Sequence, residues 1–130
     1  MSWSRHDILR LTKFMDDATK DQMKCWPFVR GLRREFWGRE TPDIPYDPRN
    51  DLQCSRLITA YEHDDRIVEE VTDPEDGDLV SMGHGKYGRH VGIYADLDGG
   101  LVLHADEKDG AVATSLPRLN WSRVKFFRWL

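Results

Sequence analysis

The chain has few of the features that mark secreted, membrane-spanning or nucleic-acid-binding proteins. Only two of its 130 residues are cysteines, too few for a disulfide scaffold. Its first residues do not resemble a secretory signal, so we expect synthesis in a reducing cytoplasm without a signal peptide. Acidic residues outnumber basic ones by 23 to 19, and the mean hydropathy is −0.66. These values argue against membrane insertion and against nucleic-acid binding by bulk charge, although Arg30, Arg33 and Arg34 form a local basic cluster.

Metal-binding motifs and internal repeats are also missing from the sequence. Zinc sites need three or four ligands, and neither His-Glu-x-x-His nor a paired Cys-x-x-Cys occurs. We therefore expect no metal and no other cofactor. The proline- and glycine-rich stretches are too short to be linkers, and the length suits one domain over residues 1–130.

The hydrophobic period changes along the chain. In the first half, apolar residues recur at steps of three and four, which is typical of amphipathic helices. From residue 77 onward the period shifts toward two, and glycine and aspartate separate the apolar runs, as between short strands. Helices followed by strands predict an α+β fold with N-terminal helices packed on a C-terminal antiparallel β-meander. The predicted helices are 4–17, 25–38 and 51–63; an extended proline-rich loop covers 41–48; the predicted strands are 77–82, 90–95, 101–105, 111–114 and 124–129.

Cys25 lies where a thiol could be reactive. Pro27 fits best in the first turn of a helix, so Cys25 stands at or just before the N-terminus of the second one. Unpaired backbone N–H groups and the helix dipole stabilise a thiolate there, and the same N–H groups could receive an oxyanion. The alternative is that Cys25 only continues the apolar stripe of Phe28 and Val29. Cys54 begins a second apolar stripe, and we expect it to be buried.

Two histidines could provide the base that a nucleophilic cysteine needs. His90 opens one predicted strand, and His104 lies in the next. A hairpin centred near Leu97 makes them face each other, because each is seven residues from the turn. Such a pair could bind a metal, satisfy itself in the core, or consist of a base and its orienting partner. His84, in a glycine-rich segment, is expected in a surface loop.

In their order and spacing, four segments resemble the NlpC-type cysteine peptidases, a papain-like group that acts on the cell wall. The similarity extends over roughly residues 22 to 130 and is strongest to the short branch encoded in phage and prophage tail-assembly regions. The segments are Cys25-Trp-Pro-Phe-Val-Arg, Phe36-Trp-Gly-Arg-Glu-Thr-Pro-Asp, Pro74-Glu-Asp-Gly-Asp-Leu-Val, and Arg89-His-Val-Gly-Ile-Tyr with Leu103-His-Ala.

The resemblance implies a papain-like fold with Cys25 as nucleophile, His90 as general base and His104 as the orienting residue. It also implies cleavage of peptidoglycan stem-peptide amide bonds, commonly between D-glutamate and diaminopimelate or lysine, through a thioester. The expected partners are the peptidoglycan peptide and other phage tail or baseplate proteins. The expected location is the virion tail, with action in the cell wall or periplasm after synthesis in the host cytoplasm.

Two positions next to the nucleophile depart from the family pattern, which usually has Asp before the cysteine and Gly two residues after it. Lys24 and Pro27 occupy those places here, and the segment 19–23 lacks the aromatic residue and Trp-Gly turn common upstream. The alternative hypothesis is therefore that the protein is a structural tail component that keeps the peptidase fold with weak or no activity. A third hypothesis is that the protein is a lipid or acyl-group transferase with a related Cys-His pair.

Overall fold

The computed structural model describes residues 2–44, 47 and 49–130, in which three helices precede a six-stranded antiparallel sheet. This is the predicted α+β arrangement, and it agrees with a papain-like fold. The helices are α1 (Arg5–Lys20), α2 (Cys25–Trp37) and α3 (Asp51–Glu62). The strands are β1 (Val68–Val71), β2 (Leu79–His84), β3 (Tyr87–Ala95), β4 (Leu101–Asp106), β5 (Gly110–Ser115) and β6 (Arg123–Trp129).

Local capping explains where the helices begin and end. Ser4 and Asp7 form a reciprocal capping box at the start of α1, which runs three residues beyond the predicted end at Asp17. Helix α2 ends where Gly38 adopts a left-handed conformation with φ of 62°, as predicted from its sequence. The side chain of Asn50 accepts a hydrogen bond from the backbone N–H of Gln53 and caps α3.

The sheet order is β1-β6-β2-β3-β4-β5, so only β2 to β5 form a simple meander. Strand β6 returns across the sheet and pairs with both β1 and β2. The sequence did not predict β1, because its two central residues are glutamates and its alternation is short. His84 is the last residue of β2, so its predicted place in a loop is wrong.

The two faces of the sheet carry separate apolar clusters. Val91, Ile93 and Leu103 point toward the helices and belong to the larger core. On the opposite face, Val80 and Met82 lie under the segment that leads into β6, including a short 3₁₀ helix over Leu116–Arg118. None of the helices in the described part of the chain is long and apolar enough to cross a bilayer.

The basic cluster on α2 fastens the segment that follows the helix. Arg30 Nε donates to the carbonyl of Thr41 at 2.7 Å, and Arg33 Nη1 donates to the Thr41 hydroxyl at 3.0 Å. Arg34 pairs with Glu40. The predicted proline-rich loop begins here, with Thr41 buried, and its residues Pro45, Tyr46 and Pro48 lie outside the described residues.

An ionic network of Glu62, Ser81 and Arg123 joins α3 to β2 and β6. Two nitrogens of Arg123 donate to the two carboxylate oxygens of Glu62, at 2.5 and 3.1 Å. The Ser81 hydroxyl donates to the same carboxylate. Glu62 is 7% exposed and Arg123 8% exposed, so this pair is shielded from solvent and fixes the end of α3 against the sheet.

Candidate active site

A cavity of about 450 Å³ lies where the N-terminus of α2 meets β3 and the turn between β4 and β5. Cys25 and His90 both line it. Acidic and basic side chains are mixed around it, so it suits a polar substrate that carries charges of both signs. The lining residues with ionisable side chains are Lys24, Cys25, Cys54, Arg89, His90, Asp106, Glu107, Lys108 and Asp109.

Cys25 is the first residue of α2 and is partly buried. Its neighbour Lys24 is the N-cap and has no side-chain capping bond, and the helix has no acidic residue in its first turn. The positive end of the helix dipole is therefore not offset by a capping carboxylate at this point. Pro27 occupies the first turn, where its missing N–H removes no helical hydrogen bond.

Cys54, the second thiol of the cavity lining, is in a different environment. It is only 2% exposed, in the first turn of α3, which confirms the prediction of a buried position. Its Sγ lies 3.7 Å from the carbonyl oxygen of Asp47. Burial raises the pKa of the Cys54 thiol, and the opposing effect of Arg89 is smaller. Cys54 is therefore in its thiol form at neutral pH and is a poor nucleophile.

His90, His104 and Thr114 form a hydrogen-bonded histidine chain across β3, β4 and β5. His90 Nε2 lies 2.9 Å from His104 Nδ1, and His104 Nε2 lies 3.0 Å from Thr114 Oγ1. Because Nε2 of His90 is engaged, its Nδ1 is the ring nitrogen that remains for a group in the cavity. The arrangement is compatible with a base held by an orienting partner and with a pair that satisfies itself, two of the three roles that the sequence left open.

The strand register differs from the predicted one by two residues. Ile93 pairs with Leu103, whereas a turn centred near Leu97 requires it to pair with residue 101. An even shift keeps both histidines on one face of the sheet, so they still meet. Gly92 makes this contact possible, because a Cβ there would lie 3.0 Å from the Cβ of His104 and 2.7 Å from the carbonyl oxygen of Leu103.

His90 and His104 are both electrically neutral at pH 7. Burial, and secondly the neighbouring His104, lower the pKa of His90 to about 4. Burial also lowers the pKa of His104, against a smaller opposite effect from the Asp106 carboxylate. A neutral imidazole can accept a proton, so His90 is in the form that a general base requires.

An indole ring supports His90 on the side of the sheet that faces away from the helices. Trp121 stacks on the His90 imidazole with a centroid distance of 5.7 Å and an interplanar angle of 16°. His84 packs against the same indole at 5.2 Å, and its Nδ1 lies 2.7 Å from the Ser122 hydroxyl. Trp121 therefore packs along one face of the His90 ring and restricts its tilt.

The sequence reading missed Thr114 and Trp121. Thr114 could have been found, because it has the same strand parity as Val112, the residue paired with His104. Trp121 lies before β6, and its stacking depends on a strand that crosses the sheet, so no local pattern indicates it. Across residues 2–44, 47 and 49–130, no group of three or more His, Cys, Asp or Glu side chains has a metal-binding arrangement.

Comparison with known proteins identifies the family of the chain. Residues 14–128 match the NlpC/P60 family. The chain is also 28% identical over 109 residues to proteins named murein DD-endopeptidase MepS/murein LD-carboxypeptidase from Escherichia coli K12 and Escherichia coli O157:H7. That alignment covers 82% of this chain and 48% of each relative, so the chain spans about half the length of the curated relatives it matches. With the family match extending from within α1 to the end of the sheet, the chain belongs to the NlpC/P60 family.

Proposed function

We propose that this protein is a cysteine peptidase that hydrolyses amide bonds in the peptide part of peptidoglycan. The observation that carries the proposal is the histidine chain, which opens through His90 onto the cavity lined by Cys25. The names of the Escherichia coli relatives, which describe murein endopeptidases, support the substrate class. The mixed charges of the lining also suit stem peptides, which carry both amino and carboxylate groups.

In the proposed first step, His90 Nδ1 takes the proton of the Cys25 thiol while Sγ attacks the carbonyl carbon of the scissile amide. The sulfur must come within roughly 3 to 4 Å of the imidazole for this transfer. The carbonyl oxygen becomes an oxyanion, and in this mechanism the backbone N–H groups at the start of α2 donate to it.

In the second step, the tetrahedral intermediate collapses to a thioester on Cys25. The bond to the leaving nitrogen breaks, and His90 gives its proton to the departing amine. A water molecule then loses a proton to His90 and attacks the thioester carbon, which releases a carboxylic acid and restores the thiol. Throughout, His104 accepts a hydrogen bond from His90 Nε2–H and orients the ring without moving the transferred proton.

We further propose that the bond cleaved is of the D-glutamyl-diaminopimelate or D-glutamyl-lysine type. The proposed setting is a phage or prophage tail, with synthesis in the host cytoplasm and action in the cell wall or periplasm. Support for the setting comes from the resemblance of residues 22 to 130 to the tail-assembly branch. Mass spectrometry of purified virions induced from the source strain tests it, since a tail protein must be present at a fixed ratio to other tail proteins.

Digestion of purified peptidoglycan by the reduced protein tests the activity. We expect new amino groups to appear, and mass analysis of the fragments identifies the bond. Cys25→Ala and His90→Ala should each reduce the rate by at least about 10³-fold, whereas the matched Cys54→Ala should stay within a few-fold of wild type. If wild-type protein releases no more amine than Cys25→Ala across peptidoglycan types that contain diaminopimelate and lysine, the proposal fails and a structural tail role is the better account.

A further inference from the structure

We infer that Thr114 is a positioning residue whose hydroxyl accepts a hydrogen bond from His104 Nε2–H and thereby stabilises the histidine tautomers that permit catalysis. The inference rests on the proposed function. It adds a fourth residue to the Cys25, His90 and His104 set, and Thr114 is not among the residues that line the cavity.

The strand pairing places His90, His104 and Thr114 in a diagonal line across β3, β4 and β5. Thr114 pairs with Val102, two residues before His104, so both project from the same face of the sheet. The Thr114 hydroxyl lies 3.0 Å from His104 Nε2. His104 is 6% exposed, so its ring nitrogens depend on protein groups for their hydrogen bonds.

Proton counting shows why this acceptor matters. When His90 takes the thiol proton, both of its ring nitrogens carry hydrogen, and Nε2–H donates to His104 Nδ1. His104 can accept there only in the tautomer that has its own hydrogen on Nε2. That buried N–H then needs an acceptor, and the Thr114 hydroxyl is placed to be one.

The opposite pair of tautomers of His90 and His104 does not permit the proposed proton transfer. If His104 carries its hydrogen on Nδ1 and donates to His90 Nε2, the neutral His90 ring must carry its hydrogen on Nδ1. No lone pair then faces the cavity, and His90 cannot accept the thiol proton. The Thr114 hydroxyl can serve either form, since it can accept from Nε2–H or donate to a bare Nε2. Without the hydroxyl, the productive form leaves a buried N–H unsatisfied, whereas the other form leaves only a nitrogen lone pair. An orphaned buried N–H is the rarer of the two in proteins, so the population should shift toward the unproductive form.

Two substitutions of Thr114 separate its hydroxyl from its shape. Thr114→Val keeps the branched shape and suits a β-strand, whereas Thr114→Ser keeps the hydroxyl. We expect Thr114→Val to lower kcat on peptidoglycan by about 10- to 100-fold with little change in KM. Thr114→Ser should stay within about three-fold of wild type, because its hydroxyl can still accept the hydrogen bond. Melting curves of both variants check that they fold.

A second readout does not depend on activity. Nitrogen-15 NMR of labelled imidazoles reports which ring nitrogen carries hydrogen, and we expect His104 to be protonated on Nε2 in wild type and in Thr114→Ser. Thr114→Val should move a measurable fraction of His104 to the Nδ1-protonated form. If the folded Val variant keeps both the wild-type tautomer and the wild-type kcat, the inference is overturned. An inactive wild type instead defeats the proposed function, and the NMR result still decides the role of Thr114.

Discussion

Two polar networks cross the sheet, and they differ in whether one of their groups faces a cavity. In the ionic network of Glu62, Ser81 and Arg123, both carboxylate oxygens are already bonded within the network. The histidine chain is neutral and ends at His90, which lines the cavity. Each network joins three elements, yet only the histidine chain meets space that a substrate can enter.

The difference separates a group that holds the fold from one that moves a proton in the proposed mechanism. Taking one partner from the ionic network leaves a buried charge, so the effect should be on stability. Changing the histidine chain alters which nitrogen carries hydrogen, so the effect should be on rate.

The largest stability effect is expected from Arg123→Met, which leaves the Glu62 carboxylate buried without its cation. The free energy of unfolding should fall by about 3–5 kcal/mol, measured by urea denaturation. The double variant Glu62→Leu with Arg123→Met is the control, since removing both charges should recover much of the loss. A single variant as stable as wild type would show that the network does not hold α3 to the sheet.

Acid should weaken the fold through the histidine chain. His90 titrates near pH 4 in the folded protein and near 6.5 when unfolded, so the unfolded state binds more protons between these values. The free energy of unfolding should therefore be fully retained above pH 6.5 and fall as the pH drops toward 4, by about 3 kcal/mol from His90. Denaturation of wild type and His90→Gln at a series of pH values measures it. The same acid dependence in both proteins would contradict this origin.

Trp121 offers a smaller test, because it touches the histidine chain without being bonded to it. Trp121→Leu removes the stacked ring, so water should reach His90 and its pKa should rise from about 4 toward 6.5. We expect a rate loss on the order of 10-fold, with Trp121→Phe closer to wild type. NMR titration of His90 gives the pKa, and an unchanged value in Trp121→Leu would show that the indole does not shield the ring.

Sequence patterns were sufficient for the three helices, for five of the six described strands and for part of the candidate site. Apolar spacing gave the three helices, and strand parity put His90 and His104 on one face even though the expected register differed by two residues. What the sequence could not give depends on order across the sheet. The return of β6 to pair with β2 places Trp121 on His90 and Arg123 on Glu62, contacts between residues more than 30 positions apart.

The central claim is that the histidine chain serves Cys25 and not Cys54, although both thiols line one cavity. Labelling of the reduced native protein with iodoacetamide at neutral pH, followed by peptide mass spectrometry, compares the two directly. The account predicts that Cys25 is alkylated first, because Cys54 is buried and its pKa is raised. Preferential alkylation of Cys54 would contradict the account and reverse the assignment of the nucleophile.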